Sequence, residues 1–224
     1  MNLKIKNFPH AQLDQNTFRG FLCHYYVVGS IDINLWRASY SPEILNFKEG
    51  GNNSIEFFVP PFAELIKFVM NQTNLNSGIL IPVPSSTSKN DSFFSAVPYD
   101  KIKMSKRKNR DNRSEIFCEK VIEYSALDLQ SVELLVRQTT KLEKKNRTIS
   151  DQLKSLIFDM VKFQNIVNSE SKIYILIDDV ETTGNTLSAC SQILKSNIGD
   201  AKIVCLSIAK SRSHLEYQPL SEIS

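Results

Sequence analysis

Short apolar runs alternate along the chain with segments whose apolar residues recur at helical spacing. The runs are rich in β-branched side chains, which is typical of strands that are buried on both faces of a parallel sheet. The runs lie near residues 79–83, 132–136, 173–177 and 202–209, and the helical segments lie near residues 61–70, 114–124, 150–162 and 186–195. This order predicts an α/β fold with a mostly parallel twisted sheet, flanked by helices and joined by right-handed crossovers.

The N-terminal part of the chain has a less regular pattern. Residues 21–28 and 31–40 have strand-like composition, and residues 55–59 predict another short strand. The pair Pro60-Pro61 then predicts the start of a helix, because proline is tolerated in the first helical turn. His10 and His24 have no carboxylate or thiol at ligand spacing, which favours surface or hydrogen-bonded histidines over metal ligands.

The most informative segment covers residues 172–195. Its apolar run ends in two adjacent carboxylates, Asp178 and Asp179, which are costly at a buried strand end unless they meet a cation, a hydroxyl group or water. A short turn rich in hydroxyl groups follows at residues 181–186, and a helical pattern begins after it. Because a helix N-terminus offers free N–H groups and a favourable dipole, this arrangement predicts a phosphate-binding turn.

Residues 174–186 resemble the phosphoribosyl pyrophosphate (PRPP) motif of type I phosphoribosyltransferases, in which apolar residues, two acids and two variable residues precede a Thr-Thr-Gly-x-Thr turn. A Walker P-loop is excluded because the chain has no GxxxxGK[ST] sequence. The resemblance implies a type I phosphoribosyltransferase-like fold. It also implies a PRPP-binding site formed by Asp178, Asp179, Val180, Glu181, Thr182, Thr183, Gly184, Asn185 and Thr186.

The resemblance assigns roles within this site. Asp178 and Asp179 are expected to engage the ribose hydroxyl groups directly or through Mg²⁺, which makes them both catalytic residues and metal ligands. The backbone of residues 182–186 is expected to hold the 5-phosphate. In purine-salvage relatives a third acid, four positions after the first, serves as the general base. Here that position is Thr182, which argues against a hypoxanthine or guanine substrate.

The apolar run near residue 80 ends in a Pro-Val-Pro sequence at residues 82–84. Proline lacks an N–H group, so it favours the end of a strand over the middle of a ladder. This sequence resembles the ComF-like, competence-associated branch of the family. The resemblance implies that the turn after it, Ser85, Ser86 and Thr87, contacts pyrophosphate.

A basic segment, residues 137–147, follows the apolar run at 132–136. It resembles the mobile loop that closes over pyrophosphate in type I phosphoribosyltransferases, where closure excludes water from the reacting centre. The resemblance implies that Arg137 and Lys141 are catalytic residues and that Arg147 contacts pyrophosphate. A charged helix surface is the alternative interpretation of the same residues.

Taken together, the resemblance divides the chain into a hood-like N-terminal elaboration, residues 1–59, and a phosphoribosyltransferase-like α/β domain, residues 60–224. We therefore expect a PRPP-dependent phosphoribosyltransferase that uses Mg²⁺, transfers ribose 5-phosphate to a base or another nucleophile, and releases pyrophosphate. The acceptor is not identified, because the hood and the C-terminal segment, which supply base contacts in the family, have no recognisable pattern here.

A basic insert supports an alternative function. Residues 101–113 contain seven basic residues and one acidic residue, and this insert is longer than the link in ComF-like proteins. It is interpreted as a solvated loop or as a patch that faces substrate phosphates or nucleic acid. The alternative is therefore a non-catalytic PRPP- or nucleotide-binding protein that acts in DNA uptake or regulation, with weak nucleic-acid binding through the insert. A PRPP-synthase relative is less favoured, because the short chain has a single such motif.

Composition changes this interpretation little. The chain has 224 residues, a formal net charge of +3 and no apolar stretch near the roughly 20 residues that a membrane-spanning helix needs. Its N-terminus lacks the apolar region of a secretory signal. Cys23, Cys118, Cys190 and Cys205 form no CxxC pair, which argues against a zinc ribbon. We expect a cytoplasmic protein without a membrane partner, and a homodimer is left open.

Overall fold

The computed structural model describes residues 11–14, 17–27, 32–84, 112–138, 148–165 and 172–212. Its strands are β1 (Ala11–Asp14), β2 (Thr17–Tyr26), β3 (Ser77–Pro82), β4 (Asp128–Ser131), β5 (Leu135–Arg137), β6 (Leu156–Phe158), β7 (Lys172–Glu181) and β8 (Lys202–Arg212). Its helices are α1 (Ile33–Ala38), α2 (Ser41–Lys48), α3 (Asn52–Thr73), α4 (Arg113–Ser125), α5 (Ile149–Ser155), α6 (Met160–Gln164) and α7 (Asn185–Ile198). None of these described helices is both long and apolar enough to cross a bilayer.

Five parallel strands form the main sheet in the order β2-β8-β7-β3-β4, and β1 pairs antiparallel with the outer edge of β2. The α/β class and the mostly parallel sheet predicted from the sequence are confirmed. The chain passes from β3 to β4 on one side of the sheet and from β7 to β8 on the other, so the strand order reverses between β3 and β7. Ligands of open α/β sheets bind at such a reversal, beyond the carboxyl ends of the strands.

The side chains of β7 alternate between two apolar cores. Ile173, Ile175 and Ile177 pack with residues of α3 and α4 on one face of the sheet. Tyr174 and Leu176 pack with residues of α7 on the other face. Because helices cover both faces, the central strands have no polar side and appear in the sequence as unbroken apolar runs.

The cysteines belong to these cores. Cys23, Cys118, Cys190 and Cys205 are all buried and free. Burial raises the pKa of Cys23 to about 12, and it raises the pKa of Cys118 as well. These thiols therefore act as small apolar side chains and not as ligands or nucleophiles.

Helix α3 replaces two elements of the prediction. The strand at residues 55–59 and the helix start at Pro60-Pro61 are both wrong, because one helix, Asn52–Thr73, runs through both prolines. The missing N–H groups of the prolines remove two hydrogen bonds from its interior. Its buried residues nevertheless keep a helical period on both sides of the prolines: Ile55, Phe58, Val59, Phe62, Ala63, Leu65, Ile66, Val69 and Met70. Burial of this continuous apolar face outweighs the local cost.

The region before α3 also differs from the prediction. The strand predicted at residues 31–40 is wrong, since helix α1 occupies residues Ile33–Ala38. Asp32 begins this helix, because its side chain accepts hydrogen bonds from the N–H groups of Asn34 and Leu35. The strand predicted at residues 21–28 is present as β2, but it begins earlier, at Thr17, and ends at Tyr26.

The prediction of a core strand at residues 132–136 is wrong. The strand that pairs with β3 is β4, Asp128–Ser131, and its pairing ends where Val132 N–H donates to the Leu80 carbonyl. The chain then turns, and Leu134 and Leu135 enter the core on the α7 side of the sheet. The apolar run therefore marks burial in this core, while the strand of the main sheet is more polar and lies at its edge.

The helix predicted at residues 150–162 is interrupted. A capping box between Thr148 and Asp151 begins α5, which ends at Ser155. The next three residues form β6, which pairs antiparallel with β5. Asp159 then begins α6, because its side chain accepts a hydrogen bond from the N–H group of Lys162. The short strand pair thus competes successfully with a continuous helix.

Two described elements bear on the division of the chain at residue 60. Strand β2 belongs to the main sheet, where it pairs with β8, and α3 continues through residues 59 and 60. The hood-like role of residues 1–59 stays a prediction.

Candidate functional site

An acidic pair lies at the carboxyl end of β7, beside the reversal of strand order. Each carboxylate folds back on the chain: Asp178 accepts a hydrogen bond from the N–H group of Asp179 at 2.9 Å, and Asp179 accepts one from Val180 at 2.7 Å. The other carboxylate oxygen of Asp179 accepts hydrogen bonds from Arg113, the first residue of α4, one of them from Nε at 3.1 Å. The side chains of Asp179 and Arg113 are 13% and 16% exposed, so this ion pair is largely shielded from solvent.

The surroundings of the two carboxyl groups shift their pKa values in opposite directions. Burial and the neighbouring Asp179 charge raise the pKa of Asp178 well above its ordinary value. Burial also opposes ionisation of Asp179, but the positive charges of Arg113 and Lys48 outweigh it and hold the pKa of Asp179 below the ordinary value. Adjacent carboxyl groups that share a site ionise in this unequal way. Ionisation of the pair is therefore favoured at Asp179 over Asp178.

The turn after β7 places a helix N-terminus next to these acids. Gly184 adopts a φ of +74°, a conformation that side chains rarely allow, and it begins α7 without a side-chain cap. Thr182 and Thr183 are exposed, and Thr183 Oγ1 accepts a hydrogen bond of 3.5 Å from the N–H group of Asn185. The first-turn N–H groups of a helix of this length can bind an anion, and hydroxyl groups at its edge can add donors.

An arginine of β2 forms several contacts with this turn. Arg19 donates hydrogen bonds to Ser188 Oγ at 2.9 Å and to the Gly184 carbonyl at 3.5 Å, and it pairs with Glu181 at 3.3 Å. A Cβ atom at Gly184 would collide with the Arg19 guanidinium. Glu181 is 3% exposed, and its second carboxylate oxygen has no hydrogen-bond partner in the part of the chain that the structure describes. Arg19 therefore fixes the path of the turn.

Arg137 links two strand ends near the same edge. Its guanidinium donates to Ser155 Oγ at 2.8 Å and to the Pro84 carbonyl at 3.5 Å, and the residue is 4% exposed. The N–H group of Val83 donates to the Ile177 carbonyl at 2.8 Å, which extends the pairing of β3 with β7. These contacts hold the carboxyl ends of β3 and β5 together, close to β7. The predicted pyrophosphate segments begin after these two strand ends.

The donor set suits a magnesium ion in part. Mg²⁺ commonly takes one or two carboxylates and completes its shell with substrate phosphates and water. Asp178 and Asp179 supply such a pair, although Arg113 occupies one oxygen of Asp179. Within the described ranges no three metal-ligating side chains group together. The residues therefore fit an ion that shares its ligands with a bound phosphate compound.

The structure brings together the residues of the predicted PRPP motif, and several predicted residues lie outside its described part. Asp178, Asp179 and the turn at residues 182–186 lie next to one another at the carboxyl end of β7. Arg137 lies near the carboxyl ends of β3 and β5. The predicted residues outside the described ranges are Ser85, Ser86, Thr87, Lys141, Arg147 and residues 101–111 of the basic insert.

Sequence reasoning missed two partners of the site. Arg113 counted only as the last member of a basic run, and nothing in its neighbourhood indicates that it reaches a strand 66 positions later. Arg19 is recognisable in the sequence, since it is a lone charge inside the apolar strand β2. A charge in a buried strand requires a partner of opposite charge.

His24 has a separate environment near the ends of β2 and β8. Burial and the nearby Arg212 and Lys210 charges lower its pKa to about 4. Its Nδ1 is buried without a hydrogen-bond partner among the described residues. His24 is therefore neutral at physiological pH, and His10 lies outside the described residues.

Comparison with models of known protein families finds no matching family for this chain, and comparison with curated proteins finds no matching sequence.

Proposed function

We propose that this protein is a PRPP-dependent phosphoribosyltransferase of the type I fold, which uses Mg²⁺ and releases pyrophosphate. One observation carries the proposal: a carboxylate pair and a glycine-started helix N-terminus lie side by side where the strand order reverses. A ligand that combines hydroxyl groups with a nearby phosphate would suit both. Ribose 5-phosphate has this composition, and PRPP adds the leaving group.

In this proposal, each part of the site has one task. Asp178 and Asp179 bind the ribose hydroxyl groups, and the N–H groups and hydroxyl groups of the turn hold the 5-phosphate. Mg²⁺, when bound, would neutralise the pyrophosphate that leaves. Because positive charge develops on the ribose, fixed carboxylates beside it stabilise the transition state.

Ligand binding tests the proposal directly. PRPP with Mg²⁺ should raise the melting temperature, because a ligand at about 100 times its Kd stabilises the native state by about 2.7 kcal/mol. Asp179→Asn should reduce this shift, since it removes a charge from the ribose site. Asp128→Asn is the matched control, because Asp128 is exposed at the opposite end of the sheet. Calorimetry that shows no shift with saturating PRPP would contradict the proposal.

Turnover separates the transferase from the alternative function. Pyrophosphate release should follow when PRPP is mixed with a panel of purine and pyrimidine bases, and Asp179→Asn should slow it. If PRPP shifts the melting temperature but no base in the panel and no other nucleophile releases pyrophosphate, the non-catalytic PRPP- or nucleotide-binding alternative is favoured. Because Thr182 stands at the position of the general base in purine-salvage relatives, we expect other bases in the panel to be better acceptors than hypoxanthine and guanine.

A further inference from the structure

One carboxylate of the acidic pair is already engaged by a cation of the protein itself. Arg113 donates from both Nε and Nη2 to a single oxygen of Asp179, and the other oxygen accepts from the Val180 N–H group. Both charged side chains are largely shielded from solvent. An ion that approaches Asp179 must therefore displace Arg113 or share the carboxylate with it.

The surrounding charge makes this displacement unfavourable for a metal ion alone. Lys48, at the end of α2, adds a second positive charge that acts on Asp179. Its ammonium group also lies 5.4 Å from the centre of the Tyr25 ring, which holds it near this edge of the sheet. Arg113 and Lys48 thus offset the negative charge of the acidic pair, so a divalent ion meets almost no net negative charge there. Displacement would in addition separate a partly buried ion pair, which is costly.

We propose that Arg113 is a specificity-determining residue, which serves as the resident counter-ion of Asp179 and excludes free divalent metal from the acidic pair. Metal then enters only together with an anionic phosphate compound, which supplies the missing negative charge. The nature of that compound rests on the proposed function, but the exclusion of free metal does not.

Mn²⁺ alone is the probe, and electron paramagnetic resonance of free Mn²⁺ measures its binding to the full chain. The wild type should show no site at the acidic pair, whereas Arg113→Met should gain one. The gain should be about tenfold or more in affinity, because one unit charge within ~5 Å of the ion is removed. Lys120→Met is the matched control. It lies on the same helix and loses an exposed ion pair with Glu56, so its Mn²⁺ binding should equal that of the wild type.

Two further variants locate the new site and guard against misfolding. Arg113→Met with Asp179→Asn should lose the gained Mn²⁺ site, because the carboxylate that binds it is absent. Arg113→Gln keeps a hydrogen-bond donor on a shorter side chain, so it provides a second neutral variant if the methionine variant unfolds. In either neutral variant Mn²⁺ alone should raise the melting temperature, and in the wild type it should not.

Equal Mn²⁺ affinity in the wild type and in a folded neutral variant overturns the inference. So does an Mn²⁺ site that persists after Asp179→Asn. These results are independent of the PRPP experiment. If PRPP leaves the wild type unshifted while Arg113→Met gains Mn²⁺, the proposed function fails and the role of Arg113 stands.

Discussion

At the scale of single residues, the ion pair between Arg19 and Glu181 has a strong expected effect on stability. The two side chains are 13% and 3% exposed and come from strands at distant points of the chain. A buried charge without its partner is costly, while a neutral pair of similar size is often tolerated. Each charged side chain therefore requires its partner: removing one of them should destabilise the protein more than replacing both by neutral side chains.

This requirement predicts a specific pattern in a double-mutant cycle. Arg19→Met should lower the free energy of unfolding by about 3 kcal/mol, because it leaves the Glu181 carboxylate buried and unpaired. Arg19→Met with Glu181→Gln should recover much of that loss, since no buried charge remains. Urea unfolding measures both values. A double variant as unstable as Arg19→Met would show that the ion pair does not dominate the contact.

At the scale of elements, helix α3 contains the clearest conflict between local preference and packing. Proline in a helix interior commonly costs about 3 kcal/mol relative to alanine, and α3 contains two, at Pro60 and Pro61. The helix persists because its apolar face is continuous and fully packed. The prolines are only half-buried, so they do not fill the core themselves.

Replacing one of these prolines should therefore stabilise the protein. Pro61→Ala restores an N–H donor in the helix and should raise the free energy of unfolding by about 1 kcal/mol after the greater flexibility of the unfolded chain is subtracted. Denaturant unfolding monitored by circular dichroism measures the change. Glu64→Ala, at an exposed position on the same helix, is the control for a general gain in helix propensity. Destabilisation by Pro61→Ala would mean that packing of the surrounding chain depends on the proline.

At the scale of the whole molecule, aromatic rings join the N-terminal helices α2 and α3 to helix α4. Phe47 of α2 contacts Phe58 of α3 at a centroid distance of 6.2 Å and Phe117 of α4 at 5.4 Å, both edge to face. Phe62 contacts Phe117 at 5.0 Å. These contacts bridge the position at which the sequence suggested a division into hood and core, so we expect a single cooperative unit.

Phe47→Ala tests this expectation. The substitution should cost about 3–5 kcal/mol, the usual range for a buried phenylalanine, and it should shift one unfolding transition as a whole. Fluorescence of Trp36, in α1, reports on the N-terminal part, and far-ultraviolet circular dichroism reports on the sheet and the helices together. Two separated transitions would show instead that the N-terminal elements unfold independently.

The sequence predicted those parts of the fold in which the local pattern and the tertiary environment agree. The β3, β7 and β8 strands are buried on both faces, so their apolar runs identify them. The pattern failed where an apolar run serves a different core, as at residues 132–136, and where packing overrides proline, as in α3. The acidic pair and its turn were visible as consecutive residues. Arg113 was not, because a contact with a residue 66 positions away leaves no local pattern, and Arg19 was visible only as a charge within an apolar strand.

The burial of every native thiol has a practical consequence. Alkylating reagents attack thiolates that solvent can reach, so the four cysteines should react only as fast as the chain opens. A reporter thiol introduced by Thr182→Cys would lie on the exposed turn beside the acidic pair and would be labelled first. Its labelling rate would then report whether a ligand is bound at the turn, whichever phosphate compound the protein binds.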